Sequence, residues 1–187
     1  LLLSRWRTGI DLRSVGSGNI GATNAMRASG VGVGIATLLL DALKGIAGLS
    51  LAMWILQGWP HGWREAVLLA APVLGHCFTP WLRFHGGKGV ATAAGVLTWI
   101  DWRLLLAGVL AFAAIMATTR FVSLSSVGCA LVVGTVAPLV HGFSGLTCGV
   151  LATVTVVVWR HRQNIVRLLR GSEPRVRGSS RNASPGR

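Results

Sequence analysis

Acidic residues are scarce in this chain: five Asp and Glu stand against 18 Lys and Arg among 187 residues, for a net charge of +13. A binding site with so few carboxylates to draw on suits an anionic ligand. Charge of either sign is scarce too, at 12% of residues, about half the share found in soluble domains. Together with long uncharged runs, that shortfall excludes a soluble globule. It indicates an integral membrane protein made of helices, in which each segment satisfies its own backbone. Cysteine supplies no framework either. Cys77, Cys129 and Cys148 lie in apolar surroundings without paired or metal-ligating spacing and read as small core residues. No signal peptide is visible and the first residue is not Met; Leu1–Leu3 read as the tail of an upstream helix.

What the chain does have is six apolar segments, at roughly 30–56, 66–82, 90–100, 104–119, 122–140 and 146–159. The fold class expected is all-α, a polytopic membrane helix bundle of about six readable spans. Residues 1–170 form one membrane-embedded domain, and the Arg-, Ser-, Gly- and Pro-rich tail 171–187 is expected to be disordered. With the N-terminal segment in the cytoplasm, one face collects Arg5, Arg7, Arg13, Arg27, Arg83, Lys88, Arg120 and every Arg from Arg160 to Arg187, 15 of the 18 basic residues. The charge follows the positive-inside bias and sets orientation; nucleic-acid binding is not needed to explain it. The Trp residues agree, with Trp54, Trp59, Trp63, Trp99 and Trp102 near the outer ends and Trp6, Trp81 and Trp159 near the inner ends.

The stretch Gly75–Thr92 joins two apolar segments and holds His76, Arg83, His85 and Lys88 around the run Gly86-Gly87-Lys88-Gly89. Glycines bare the backbone, and successive N–H groups beside an ammonium make an anion-binding concavity. A flexible turn with a snorkelling lysine is the plainer alternative. The nucleotide-binding P-loop does not fit, because Leu82 stands where its first Gly belongs. Segment 90–100 spans only about 17 Å against a bilayer core of about 30 Å. It either begins inside the glycine loop or is a half-helix whose N-terminal dipole faces the loop's ligand. Asp41 and Lys44 interrupt the first span at i, i+3, either a mutually neutralising pair that fixes packing or part of a polar cavity.

Three other polar clusters flank the spans. Gly16-Ser17-Gly18-Asn19-Ile20-Gly21 matches the dinucleotide fingerprint in letters, but no buried strand precedes it and no βαβ unit surrounds it. Its local chemistry survives that rejection: Ser17, Asn19, Thr23, Asn24 and Arg27 suit a phosphate-binding loop or a capped helix start. Arg120-Phe121-Val122-Ser123-Leu124-Ser125-Ser126 offers hydroxyls for capping or anion contact, and His161 and Asn164 share one helix face beyond the last span. In the topology above all four clusters emerge on one side. Their convergence points to an anionic, phosphorylated and partly lipidic substrate; a transporter for a phosphorylated anion is the competing class.

Read in order, Ser17–Asn24 with Arg27, Asp41-Ala42-Leu43-Lys44-Gly45, Gly75-His76 with Gly86–Thr92, Val122-Ser123-Leu124, and Arg160-His161 with Asn164-Ile165 closely resemble the PlsY-type bacterial glycerol-3-phosphate acyltransferases over roughly residues 11–173. The resemblance implies seven membrane helices in the full family fold, the first of them absent from this sequence. It also implies acyl transfer from acyl phosphate to the 1-hydroxyl of glycerol 3-phosphate, giving lysophosphatidate and inorganic phosphate in the first step of phospholipid synthesis. By position it makes Ser17, Arg27, Lys88, His161 and Asn164 active-site residues. Gly18, Asn19, Thr23, Asn24, Gly86, Gly87, Gly89, Ser123 and Ser125 become substrate contacts, and Glu173 becomes structural. No cofactor and no metal are expected. The expected partners are both substrates, the lipid bilayer and a soluble acyl-phosphate-forming enzyme; the expected location is a bacterial inner membrane with the active face in the cytoplasm. The His-x₄-Asp pair of the unrelated acyl-CoA-dependent acyltransferases is missing: none of the five histidines has Asp five residues on.

Overall fold

A computed structural model describes residues 1–176, and every regular element among them is helical. In chain order these are α1 (Leu2–Thr8), α2 (Ala22–Ser29), α3 (Val31–Ile55), α4 (Trp63–Cys77), a 3₁₀ turn (Pro80–Leu82), α5 (Val90–Ile100), α6 (Trp102–Thr119), α7 (Val122–His141), α8 (Gly145–Arg160) and α9 (Arg162–Leu169). Four stretches are long and apolar enough to cross a membrane: Val31–Ile55, Trp63–Leu82, Trp102–Thr119 and Val122–His141. α5 and α8 are shorter apolar helices, and α5 is the expected half-helix, starting directly after Gly89.

The bundle closes through small residues rather than through interlocking large ones. On α3, Gly45 lies against the Thr92 carbonyl of α5, and Gly95 of α5 returns the contact against the Ala42 carbonyl; a Cβ fits at neither position. Gly149 of α8 meets Ala66 of α4 in the same way. Lipid gives apolar side chains no reason to prefer one another, so close backbone approach is what favours association there. The result is a short α5 clamped along α3, with Gly89 beside Val73, Cys77 and Val157. At the opposite end, the Asp101 carboxylate caps α6 through the Arg103 and Leu104 N–H groups at 2.8 and 3.4 Å. It also accepts from His141 Nε2 at 2.6 Å, tying α6 to the end of α7.

Both alternatives for Asp41 and Lys44 are realised: they pair at 3.1 Å, and Asp41 also stands 3.8 Å from His76 Nδ1 and lines the central cavity. One expectation needs correction. Disorder beginning at residue 171 is wrong for 171–176. There the Ser172 N–H donates to Arg167 O at 2.9 Å, the Val176 N–H donates to Arg120 O at 2.9 Å, and Arg27 Nη2 donates to Pro174 O at 3.2 Å. The rest of that expectation, residues 177–187, lies outside the described residues.

Candidate active site

Loop 9–21 is shaped by one buried side chain. Asn24, on the first turn of α2, accepts the Ser17 N–H at 3.1 Å and donates to Leu12 O, Val15 O and Asn19 O at 3.0, 3.1 and 2.8 Å. An amide has one oxygen and two N–H hydrogens, so the loop occupies all of Asn24. Asn24 lines the central cavity, as expected of a substrate contact, and the hydrogen bonds it makes show that it also holds the loop. Asn19 Oδ1 closes the turn by accepting the Gly21 N–H at 2.8 Å. The loop presents Ser17, Asn19, Thr23 and Arg27 to a common cavity.

The glycine loop is held from both sides. The Gly86 N–H donates to Cys77 O at 3.1 Å. On the other side, Arg160 Nε donates to Gly87 O at 3.0 Å while Arg160 Nη2 donates to Gly86 O. In a trans peptide the N–H points away from the preceding carbonyl, so fixing those two oxygens turns the Gly87 and Lys88 N–H groups away from Arg160. Among the described residues, none of the N–H groups of residues 87–92 has a protein acceptor; the first bonded amide is Ala93, to Gly89 O at 2.8 Å. These amides belong to the loop and to the first turn of α5, whose dipole adds to them. The arrangement is a preformed anion cradle.

Lys88 leaves that cradle toward α9. Its Nζ donates to Asn164 Oδ1, Asn164 Nδ2 donates to Glu173 Oε1 at 2.7 Å, and Arg167 Nε donates to Glu173 Oε2 at 2.7 Å. Burial pushes the Lys88 ammonium down to about 8; the Glu173 carboxylate resists the shift, and Arg167, Arg160 and Arg27 reinforce it. Burial also opposes the charge on Glu173, but Asn164, Ser123 and Arg167 outweigh it and its carboxyl titrates below the usual range. Glu173 is thus the counter-charge that lets Lys88 and Arg167 sit together before any anion arrives.

His161, between α8 and α9, is 2% exposed. Its Nδ1 lies 2.8 Å from Val157 O, and a carbonyl only accepts, so Nδ1 carries the proton. Burial, with Lys88 beside it, pushes the imidazole down to about 4. His161 is therefore neutral at physiological pH, its Nε2 lone pair without a partner among the described residues, and the ring lines the cavity. A base this weak is poorly matched to abstracting a hydroxyl proton near pH 7. It is well suited to accepting a hydrogen bond from one.

The hydroxyls of α7 divide by helix phase. Ser123 and Ser126 line the cavity, and the buried Ser123 hydroxyl stands near Glu173 without a hydrogen bond of good geometry. Ser125 is fully buried and donates to Phe121 O at 2.9 Å within its own helix. Ser125 thus lines neither space, against expectation, whereas its neighbour Ser126 lines the larger one.

Two spaces meet at these residues. A chamber of about 170 Å³ is lined by Ser17, Gly18, Asn19, Gly86, Lys88 and Arg160 among others. A larger cavity of about 680 Å³ shares Ser17, Asn19, Lys88, Asn164 and Arg167 with it and continues inward over apolar side chains of α5 to α8. Ser17, Arg27, Lys88, His161 and Asn164 all line that cavity, as do Asn19, Thr23, Gly89 and Ser123; Gly18 and Gly86 face the chamber only. Gly87 lies between, packed on His76 Nε2 so closely that a Cβ has no room. Three contributors stood in the sequence motifs without a site role. Arg160 looked like positive-inside charge, His76 like part of the glycine-loop stretch, and Asp41 stood between a packing pair and a polar cavity. A cation next to a glycine loop's partner helix was the one signal that pointed to Arg160.

Comparison with known proteins bears on this geometry. The glycerol-3-phosphate acyltransferase family model matches residues 1–171. A glycerol-3-phosphate acyltransferase of Anaeromyxobacter sp. (strain Fw109-5) is 44% identical over 181 residues, covering 95% of this chain and 88% of that protein. One of Myxococcus xanthus (strain DK1622) is 44% identical over 178 residues, covering 94% and 90%. Among solved structures, the glycerol 3-phosphate form of PlsY (YgiH), an integral membrane glycerol 3-phosphate acyltransferase, superposes with a TM-score of 0.85 at 33% identity, covering 94% of this chain and 86% of that one. The lysophosphatidic acid form of the same enzyme gives 0.78 at 32% identity, covering 94% and 91%.

Proposed function

Because the chain belongs to the glycerol-3-phosphate acyltransferase family, we propose that its two-part site joins an acyl group from acyl phosphate to the 1-hydroxyl of glycerol 3-phosphate, releasing lysophosphatidate and inorganic phosphate. The protein is an integral membrane acyltransferase. The observation that carries the finer reading is the junction at Lys88, where the row of unbonded amides 87–92 meets both a cationic chamber and an apolar cavity. One end suits a phosphate, the other a fatty chain.

In this reading the glycerol 3-phosphate headgroup lies in the small chamber against Lys88 and the glycine loop. The donor's phosphate faces Arg27 and Ser17 with its chain in the apolar cavity. The glycerol oxygen attacks the acyl carbon directly. The carbonyl collapses as the C–O bond to phosphate breaks, the electron pair leaves with phosphate, and the hydroxyl proton ends on that phosphate. His161 Nε2 accepts the hydrogen bond of the attacking hydroxyl and orients it, and Asn164 holds Lys88. An acyl phosphate already carries a good leaving group, so orientation and charge stabilisation are the protein's main tasks.

The positive-inside bias of the chain supports a site that faces the cytoplasm at a bacterial inner membrane, where a soluble enzyme would deliver acyl phosphate. The transporter alternative gains nothing from the cavity, which ends inside the bundle on buried leucines. Detergent-solubilised protein, unable to display transport, should form lysophosphatidate from acyl phosphate and glycerol 3-phosphate; a failure to do so removes the enzymatic reading. His161→Ala should lower kcat by about 10- to 100-fold without steepening the pH profile between 6 and 8, the size expected for a lost orienting bond. A variant with wild-type kcat would refute the positioning role. Ser125→Ala should stay within about twofold of wild type, whereas Ser123→Ala should lose about tenfold, the scale of one hydrogen bond to a charged group; the same assay reads both.

A further inference from the structure

The larger cavity has a property that phosphate recognition does not explain: it is blind. On α8 its lining runs from His161 at the mouth to Val150, and on α7 from Ser123 to Val133. At about 1.5 Å per residue either helix measures a depth of about 16 Å. α6 runs the other way, so Leu104 lies at the bottom, Gly108 one turn higher and Phe112 two turns higher. The bottom is sealed: Leu69, Leu97 and Leu104 are 3%, 8% and 0% exposed, and they belong to one continuous hydrophobic cluster with Val133 and Val150. The upper half differs, since Leu38 and Val109 line it yet are about half exposed on the bundle's side.

We propose that the blind end formed by Leu69, Leu97 and Leu104 is an acyl-chain ruler, with Gly108 the residue that keeps the passage to it open; this rests on the acyltransferase reading above. Gly108 lines the cavity, and a Cβ there would stand 3.0 Å from Val133 Cγ2, so the wall has no slack to absorb a side chain except toward the cavity. Apart from Thr153, whose hydroxyl is turned to Leu69 O at 3.4 Å, the hydrogen-bonding side chains of the lining lie toward the mouth, which puts the acyl carbonyl near Lys88 and Ser17 and leaves the chain one way to extend. An extended chain advances about 1.2 Å per bond, as the 3.6 Å span of a three-bond peptide residue shows. About 16 Å therefore holds about 13 carbons straight. Carbons beyond that number have no buried place to go and must turn out through the half-open upper side, where burial adds nothing.

The test is the dependence of kcat/KM on donor length, measured with acyl phosphates of about 8 to about 18 carbons at saturating glycerol 3-phosphate. Wild type should gain about fourfold per methylene, the fold-change equivalent to about 0.8 kcal/mol per buried CH₂, up to a break near about 13 carbons and little after it. Gly108→Leu, one turn above the floor, should move the break inward by about five carbons. Leu104→Ala should move it outward by about two or three, the carbons it vacates. Both variants should keep their activity on the shortest donors, which doubles as the control for folding. A wild-type profile without a break overturns the ruler, and so does a break left unmoved in both variants while short donors still react. Should Gly108→Leu lose every activity, Ala94→Leu, which narrows the same passage from α5, decides on the same terms. A wild-type enzyme inactive with every acyl phosphate would instead remove the acyltransferase reading itself.

Discussion

Lys88→Met should lower kcat/KM for lysophosphatidate formation by about 10³-fold while leaving the protein folded. Methionine keeps the length and apolar stem of the side chain, so packing survives and the ammonium alone is lost. That ammonium lines both the small chamber and the larger cavity, a position it shares among cations only with Arg167, whose charge is already paired with Glu173. Removing one preorganised donor from a developing oxyanion costs about 10²- to 10³-fold, and a buried charge opposite a phosphate is worth at least as much. Arginine should not restore activity, because the Asn164 oxygen and the narrow chamber admit a point charge and not a planar fork. Activity in detergent, read beside the thermal midpoint of the variant, checks both halves; loss below about tenfold at unchanged stability would remove Lys88 from the mechanism.

The same residue predicts the alkaline limb of the pH profile. Burial pushes the Lys88 ammonium down to about 8. Its productive form is the protonated one, so kcat/KM should fall as pH rises through about 8. A bound phosphate dianion favours the charged form, so the limb in kcat should lie at higher pH than the limb in kcat/KM. His161, neutral down to about 4, supplies no limb between pH 5 and 8. The second ionisation of glycerol 3-phosphate falls at about 6, so an acidic limb there contradicts the back-bonded, neutral imidazole only if His161→Ala abolishes it.

The spans were readable because hydropathy and length act locally: each apolar run became a helix within a few residues of its expected ends, including the half-helix Val90–Ile100. The convergence of four polar clusters was readable because alternating spans fix which loops share a side. What the letters did not carry was direction within each cluster. Ser125 and Ser126 are adjacent and alike, but 100° of helix phase sends one into its own helix's backbone and the other into the cavity. Asn24 has the chemistry of a ligand contact and is consumed by Leu12, Val15, Asn19 and Ser17 of its own loop, partners that appear only once the loop is folded. Arg160 was hidden by the membrane rule: every arginine on the cytoplasmic face satisfies that rule, and nothing in the sequence marks the one whose guanidinium reaches two glycine carbonyls 73 and 74 residues away.

That Arg160 clamp works against a floor, and Gly87→Ala should expose the floor's importance with the second large effect. Gly87 does not have a positive φ, unlike Gly89 at +85°, so alanine is conformationally acceptable and any cost is one of space. The space is missing: a Cβ would run into His76 Nε2, and the His76 ring, 8% exposed, is backed by Asp41. Either the ring or the loop must move, and the loop is already fixed by Arg160 through its carbonyls. Overpacking of this kind costs about 1–3 kcal/mol, and here the strain falls on the peptide that aims the Gly87 and Lys88 amides. With the acceptor's phosphate in the cradle, as proposed above, the expected result is a rise of about 10²-fold in KM for glycerol 3-phosphate with a smaller change in kcat, because the bond that breaks lies elsewhere. His76→Ala would vacate the contested volume, so the double variant should bind glycerol 3-phosphate better than Gly87→Ala alone, a coupling that independent sites do not show. If the double variant is instead the sum of the two singles, the clash with His76 is not the cause, and the loop's geometry depends on Gly87 for another reason.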